Sequence, residues 1–519
     1  VNEAVTRSAD AAVKNEPDGA RRAGRGILSI SASKLYFLII GYAAQLLLPR
    51  LLGSPEAFGF MSVALSFVSI LNNVLVVATI QVVSKRVSED KARADHTLRQ
   101  ALELQLVVGG LVGSVLFLAA PLLAGKVLLD PLLTPLFRLA AVIVVSYALY
   151  SAPIGALNGR QNFRAQARFD MGYTTLRTVA MLSAAALGFG AFGVFAGFAL
   201  SSVLVLVAAC VVVGTGKAGG RVPWGGWLAW MAPLFLYQLC INLILQVDVT
   251  LLKRTVAELL QARGQTAVLA AETASRYVGF YRAAQTFAFV PYQLILSVAF
   301  VIFPMVSEAL GLGDEAAARG YIRGALRFSL LVLLAVAAPF AGAAPAVMRL
   351  VYPAAYVAGA PALSVLVLAM VCFALFVIAA TIISGAGRPG LAAGVALASV
   401  GCVFVGNLGL VRYAGVGEHT LLAAASGTAI GIVLALLAMG GAVYARFGAF
   451  IAPATVVRAL LAAAAAFAIA GAIHTDSKLL SLGALALGAL GYGLVLVLLR
   501  ELTRADLDAG LAVVLRRKR

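Results

Sequence analysis

Fourteen apolar runs, most of them about twenty residues or longer, recur along this chain, at 27–48, 59–83, 101–124, 136–157, 171–190, 193–213, 228–252, 277–305, 324–347, 361–384, 391–411, 420–444, 453–473 and 479–499. A helix of that length crosses a hydrocarbon core of roughly 30 Å. Inside lipid a spanning segment has to satisfy its backbone polar groups internally, which leaves helices or closed barrels. Runs this long and continuously apolar read as helices. The expected fold is an all-α polytopic membrane protein with about 14 transmembrane helices. Composition agrees: 62% of the 519 residues are hydrophobic and 12% charged, where soluble domains are roughly a quarter charged.

The net charge of +18 comes from 40 basic and 22 acidic residues. These charges sit in tails and in short loops between apolar runs, which argues against nucleic acid as a partner. With the N-terminus inside, 26 of the 40 Lys and Arg face the cytoplasm and 10 the other side, so both termini are expected in the cytoplasm. The remaining four, Lys34, Arg177, Arg282 and Arg458, fall within spans, Arg138 and Arg327 in the first turn of theirs being counted with the adjoining loops. The four cysteines lie in apolar runs and the three histidines are scattered through loops. Neither set has metal-ligand spacing, and no cofactor is expected.

Residues opening the second span, FGFMSVALSF, echo those opening the eighth, VGFYRAAQTF. At a shift of 220, Gly59, Phe60, Ala64 and Phe67 match Gly279, Phe280, Ala284 and Phe287. Six spans separate the copies, and an even number leaves both halves in one orientation. Two parallel six-helix lobes with substrate held between them are a transporter architecture. The expected organisation is a cytoplasmic tail (1–26), an N-lobe (27–214), a linker (215–227) and a C-lobe (228–444). Two extra helices (445–499) and a basic cytoplasmic tail (500–519) follow.

Polar side chains interrupt particular spans. In YQLCINLILQVDVTLLKR, Gln238, Asn242 and Gln246 recur every fourth residue and form one stripe on a helix, with Asp248 beside it. The first span aligns Lys34, Gly41 and Gln45. The eighth aligns Tyr277, Tyr281 and Gln285, with Arg282 adjacent. Ionisable groups in a membrane span mark cavities or pathways by default. Two blander readings compete. Lys34 and Arg177 are about two turns from a helix end and can snorkel outward. Asp248 and Arg282 share a depth on consecutive spans, which favours a neutralising pair over an ion-coupling site at Asp248. Arg458 reads as an interfacial anchor. The candidate cavity holds three cations and one acid, which suits an anionic ligand such as a diphosphate.

The stretch SKLYFLIIGYAAQLLLPRLLGSPEAFGFMSVALSFVSIL and the later VGFYRAAQTFAFVPYQLILSVAFVIFPMVSEAL resemble bacterial polysaccharide-export flippases. That family belongs to the superfamily of multidrug, oligosaccharidyl-lipid and polysaccharide exporters. The resemblance implies two MATE-like six-helix lobes that alternate between inward and outward openings in the bacterial inner membrane. It implies an undecaprenyl-diphosphate-linked oligosaccharide as substrate and membrane lipids as surroundings, with a polysaccharide polymerase and chain-length proteins as partners. A proton or sodium ion is the coupling ion it leaves open. The substrate-binding set expected on this basis is Lys34, Gln45, Arg177, Gln238, Asn242, Gln246, Tyr281, Arg282 and Gln285. Two rivals remain: a cell-wall-precursor flippase, whose first two helices are richer in arginine, and a cation-coupled drug exporter, which carries an acid in its first helix where this chain has Lys34. A membrane-embedded glycosyltransferase needs a long loop with paired carboxylates, and the longest internal loop expected here is Lys253–Arg276. No enzymatic activity is expected.

Overall fold

The computed structural model describes residues 33, 35–219, 224–293, 305–306, 308–309, 312, 314–473 and 477–502, and contains no strand among them. The first eight helices are α1 (Leu35–Leu51), α2 (Pro55–Glu89), α3 (Ala94–Leu122), α4 (Thr134–Gly159), α5 (Phe163–Ala186), α6 (Gly190–Val213), α7 (Trp224–Ala262) and α8 (Ala267–Ala288). They are followed by α9 (Glu315–Gly342), the short α10 (Ala344–Val351), α11 (Ala360–Gly385), α12 (Pro389–Ala414), α13 (Thr420–Phe447), α14 (Pro453–Ala472) and α15 (Lys478–Leu498). Eleven of the described helices are long and apolar enough to cross a membrane, and the chain is a multi-pass membrane protein. Side chains such as Leu111, Leu118, Val211, Leu437 and Leu490 stay exposed, as a lipid-facing surface requires.

The predicted first, fifth and eighth spans are not among those eleven. The described part of α1 is short, α5 carries Arg164, Arg168, Asp170 and Arg177, and residues 294–304 lie outside the described residues. A second difference concerns the predicted loop Lys253–Arg276. Here α7 continues to Ala262 and α8 begins at Ala267. The sequence AELLQA is made of strong helix formers, and the helix stops only where Gly264 takes φ +86°. Thr266 then caps α8, its hydroxyl accepting from the Leu269 N–H at 3.4 Å.

The chain divides into two compact units. The first comprises Val1–Leu52, Phe67–Leu123 and Leu132–Phe235; the second comprises Gly53–Ser66, Ala124–Pro131 and Leu236–Arg519. In the first unit Val82, Val83 and Val87 of α2 meet Leu98, Ala101 and Leu104 of α3, Ala152 and Ala156 of α4, and Trp227. The Arg86 guanidinium lies 4.4 Å over the Trp227 ring. Removing the cation from water strengthens such a contact.

In the second unit α11 is the central helix, packed against α8, α9, α12 and α13. The start of α2 lies against α8 through the two glycines matched by the internal echo. A Cβ on Gly59 would fall 1.8 Å from the Ser275 carbonyl oxygen, and one on Gly279 would fall 2.1 Å from that of Pro55. Close backbone approach of this kind needs glycine on both helices. The α14–α15 pair is tied to α9 by Glu501, which accepts from Arg327 Nε at 2.9 Å, Thr455 Oγ1 at 2.8 Å and Arg458 Nη1 at 3.1 Å. Arg458, expected as an interfacial anchor, thus also fastens one helix end.

Candidate functional site

In the second unit the polar residues of α7 and α8 converge with two from α12 and α13. Asp248 is fully buried. Its Oδ2 accepts from the Tyr281 hydroxyl at 2.7 Å, the Thr428 hydroxyl at 3.1 Å and Gln285 Nε2 at 3.0 Å. Its Oδ1 accepts from Gln285 Nε2 at 3.1 Å and from the Val249 backbone N–H at 2.8 Å. All these donors are neutral. On the far side of the Gln285 amide stands Arg282, whose Nη1 donates to Gln285 Oε1 at 3.0 Å and to Gln246 Oε1 at 2.9 Å. One amide thus bridges the carboxylate and the guanidinium.

Local sequence explains the convergence. On α8, Tyr281 and Gln285 are four residues apart and share a face. Ala270, Ala271, Ala274, Ala283 and Ala284 are all buried there, and their small size lets neighbouring helices come close. On α13, Gly427 plays the same part: a Cβ there would lie 2.6 Å from the Asn407 backbone nitrogen of α12. That approach lets Asn407 Nδ2 donate to Thr428 Oγ1 at 3.0 Å, while Asn407 Oδ1 is buried without a hydrogen-bond partner among the described residues. A buried acceptor in that position is costly unless something fills it. A carboxylate with two hydroxyls on it offers oxygen ligands of the kind hard cations take, although Gln285 Nε2 and the Val249 N–H also point at it. Among the described residues no group of three or more His, Cys, Asp or Glu is placed to hold a metal ion.

Of the sequence-predicted site residues, Gln246, Asp248, Tyr281, Arg282 and Gln285 come together here. Asn242 turns its Nδ2 to the Gln238 carbonyl oxygen at 2.8 Å, bonding its own helix, and Gln238 is half-buried on the preceding turn. Arg177 and Gln45 belong to the first unit. The Arg177 guanidinium carbon lies 5.6 Å from the Phe37 ring centroid and 5.5 Å from those of Tyr173 and Phe198. Gly41 lies alongside it, and a Cβ there would make ordinary van der Waals contact with Nη2 at 3.9 Å. Lys34 lies outside the described residues.

Sequence reasoning missed Thr428 and Asn407, polar residues in largely apolar spans that form no polar stripe. It also missed a second buried charge site. Lys253, placed by the sequence in a loop, is fully buried near the end of α7. Its Nζ donates to Asp130 Oδ2 at 2.8 Å, to Ser275 Oγ at 2.6 Å and to the Ala271 carbonyl oxygen at 2.5 Å. Nearby, Arg254 reaches the Val127 carbonyl oxygen at 3.3 Å, and Arg276 pairs with Glu56.

Comparison with known proteins bears on both fold and family. Residues 47–361 match the profile of a family described as "Polysaccharide biosynthesis protein". The structure is similar to that of the lipid II flippase MurJ in an inward closed conformation, with a TM-score of 0.74 at 13% identity over 91% of this chain and 99% of that one. It is also similar to an inward-facing multidrug resistance MATE family transporter of the MOP superfamily, with a TM-score of 0.61 at 16% identity over 81% of this chain and 98% of that one. A third similar structure is a MOP superfamily transporter from Pyrococcus furiosus described as having a binding pocket of reverse polarity (TM-score 0.57, 18% identity, 82% of this chain and 95% of that one). No curated protein matches the chain in sequence. At these identities the likenesses describe the fold alone, an all-helical architecture similar to those of the three structures.

Proposed function

Because the chain belongs to the polysaccharide biosynthesis protein family, we propose that it is a flippase for an undecaprenyl-diphosphate-linked oligosaccharide. It moves this repeat unit from the cytoplasmic to the outer leaflet of the bacterial inner membrane by alternating access of two lobes, with both termini cytoplasmic. The observation that carries the reading is Arg282, a cation nine-tenths buried within a polytopic membrane fold and resting on the neutral oxygens of Gln246 and Gln285. A guanidinium held by amides keeps its charge for an anionic visitor, and its planar fork fits a phosphate. Arg177, backed by aromatic rings, and Lys34 are the further cations available to an anionic headgroup in this reading. Asp248 takes the coupling cation, a proton or sodium ion, on the oxygens it shares with Thr428 and Tyr281.

A second reading, flipping of a cell-wall precursor, is favoured by the likeness to the lipid II flippase fold over 91% of this chain. Depleting the protein from its host distinguishes the two. Lipid-linked repeat units should accumulate in the cytoplasmic leaflet, with surface polysaccharide lost and cell-wall synthesis intact. Arrested cell-wall synthesis would favour the second reading and overturn the first.

A further inference from the structure

Gln285 joins the two charged groups of the site, and its amide has no freedom in how it does so. Its Oε1 accepts from Arg282 at 3.0 Å, while Nε2 donates to Asp248 Oδ1 and Oδ2 at 3.1 and 3.0 Å. A guanidinium offers only donors and an ionised carboxylate only acceptors, so one amide orientation satisfies both. We propose that Gln285 is a positioning residue that couples occupancy of the Asp248 carboxylate to the grip of Arg282 on an anionic headgroup. The inference rests on the roles of Asp248 and Arg282 proposed above.

A sodium ion on the Asp248 oxygens reverses what the amide meets. The ion needs oxygen beside it and repels the NH2 group. A half-turn of the amide brings Oε1 to the ion and Nε2 to Arg282, so that donor faces donor. Tyr281 and Thr428 adapt without such a conflict, because a hydroxyl both donates and accepts. Arg282 Nη1 then loses one acceptor in a place where its exposure is only 6%, and an unmet buried donor is unfavourable. A phosphate oxygen is the natural replacement. Charge acts in the same direction, since the ion cancels the acid that offsets Arg282. Sodium and a diphosphate therefore bind cooperatively, and by linkage each tightens the other by the same factor. The switch needs only side-chain rotation on a helix whose backbone stays fixed.

The test measures binding of a short polyprenyl diphosphate, farnesyl diphosphate, to the full chain in lipid nanodiscs. Sodium is compared with choline at equal ionic strength, which holds screening constant. In the wild type, sodium should tighten binding by about fivefold or more. In Gln285→Met, which keeps the volume and removes both hydrogen bonds, the ratio of the two affinities should fall to about one, whatever the affinity itself becomes. Gln285→Glu is the second variant. When ionised, its carboxylate accepts from Arg282 and cannot donate to Asp248, so the ratio should fall to about one there too. A ratio that survives in both variants overturns the relay, as does a wild type in which sodium has no effect or weakens binding. Binding that needs Arg282 but ignores sodium strikes the relay alone. Farnesyl diphosphate bound equally well by Arg282→Ala removes the anionic-headgroup reading, and the relay with it.

Discussion

Two buried acids in the second unit are served in opposite ways. Asp130 meets the Lys253 ammonium directly at 2.8 Å, and the remaining donor capacity of Nζ is used by Ser275 and the Ala271 carbonyl. Asp248 meets hydroxyls, an amide and a backbone N–H, with the nearby guanidinium held behind Gln285. The first arrangement is complete, because every charge has its counter-charge in contact. It also joins the segment 124–131 to the facing ends of α7 and α8. The second is unfinished. Its carboxylate is stabilised mostly by side chains that can turn, and the oxygen of Asn407, whose nitrogen bonds Thr428, has no partner among the described residues. A pair in contact suits a structural fastening, whereas an acid surrounded by rotatable neutral donors suits exchange of one cation for another.

The comparison predicts that the two acids fail differently when mutated. Removing either member of the complete pair leaves a buried charge unpaired, so Asp130→Ala and Lys253→Met should each cost about 3–5 kcal/mol in unfolding experiments in detergent or nanodiscs. The double variant Asp130→Leu with Lys253→Met should recover most of that loss, since a buried pair is often replaceable by apolar side chains. Equal stability of the single variants and the wild type would break the contrast. Asp248→Asn should cost less, about 1–3 kcal/mol: the amide oxygen still accepts from Tyr281 and Thr428, while its NH2 group faces the Val249 N–H. Its effect should fall on ion-driven transport, which should be lost. Restoring neutrality with Arg282→Gln in the same chain should not bring that transport back. Recovery in the double variant would make Asp248 a second structural pair.

Glu501 gives the smallest effect and sharpens the comparison, as a direct ion cluster with solvent-reached cations. Burial alone raises its carboxyl pKa. The hydrogen bonds from Arg327, Thr455 and Arg458 and the charge of Arg327 outweigh burial, and the pKa lies below the usual Glu value. A depressed folded pKa contributes stability that is full above the unfolded value and is lost as pH falls through the folded one. The stability difference between wild type and Glu501→Gln should therefore be present at neutral pH and shrink in acid. Thermal unfolding at both pH values checks this, and a difference that grows in acid would contradict it.

How much was legible in the sequence follows from which signals are local. Apolar length is local, so eleven of the fourteen expected spans are readable as such among the described residues, and the stripe and i, i+4 spacings on α7 and α8 single out Gln246, Asp248, Tyr281, Arg282 and Gln285. Partnership is not local. Asp130 is not singled out in the sequence and Lys253 reads as the start of a loop, because each is affordable in its helix or turn only through the other. Asn407 and Thr428 each sit in a largely apolar helix without a polar stripe, where bonding to the helix's own backbone is the ordinary expectation. Shared depth suggested that Asp248 and Arg282 form a pair, and depth carries no information about the amide standing between them. The echo of Gly59 and Gly279 was visible as similarity, while their contact with the facing backbone depends on how two distant helices cross.

The central claim is that this fold moves a polyprenyl-diphosphate-linked sugar through a site that uses Arg282. The most direct test reconstitutes the purified chain in liposomes containing a fluorescent undecaprenyl-diphosphate oligosaccharide and follows how much of it becomes accessible to a membrane-impermeant quencher on the far leaflet. The account predicts movement well above the protein-free rate in the wild type, a large loss in Arg282→Ala and partial recovery in Arg282→Lys, which restores charge without the fork. Movement at the protein-free rate, or equal movement in the wild type and Arg282→Ala, would contradict it.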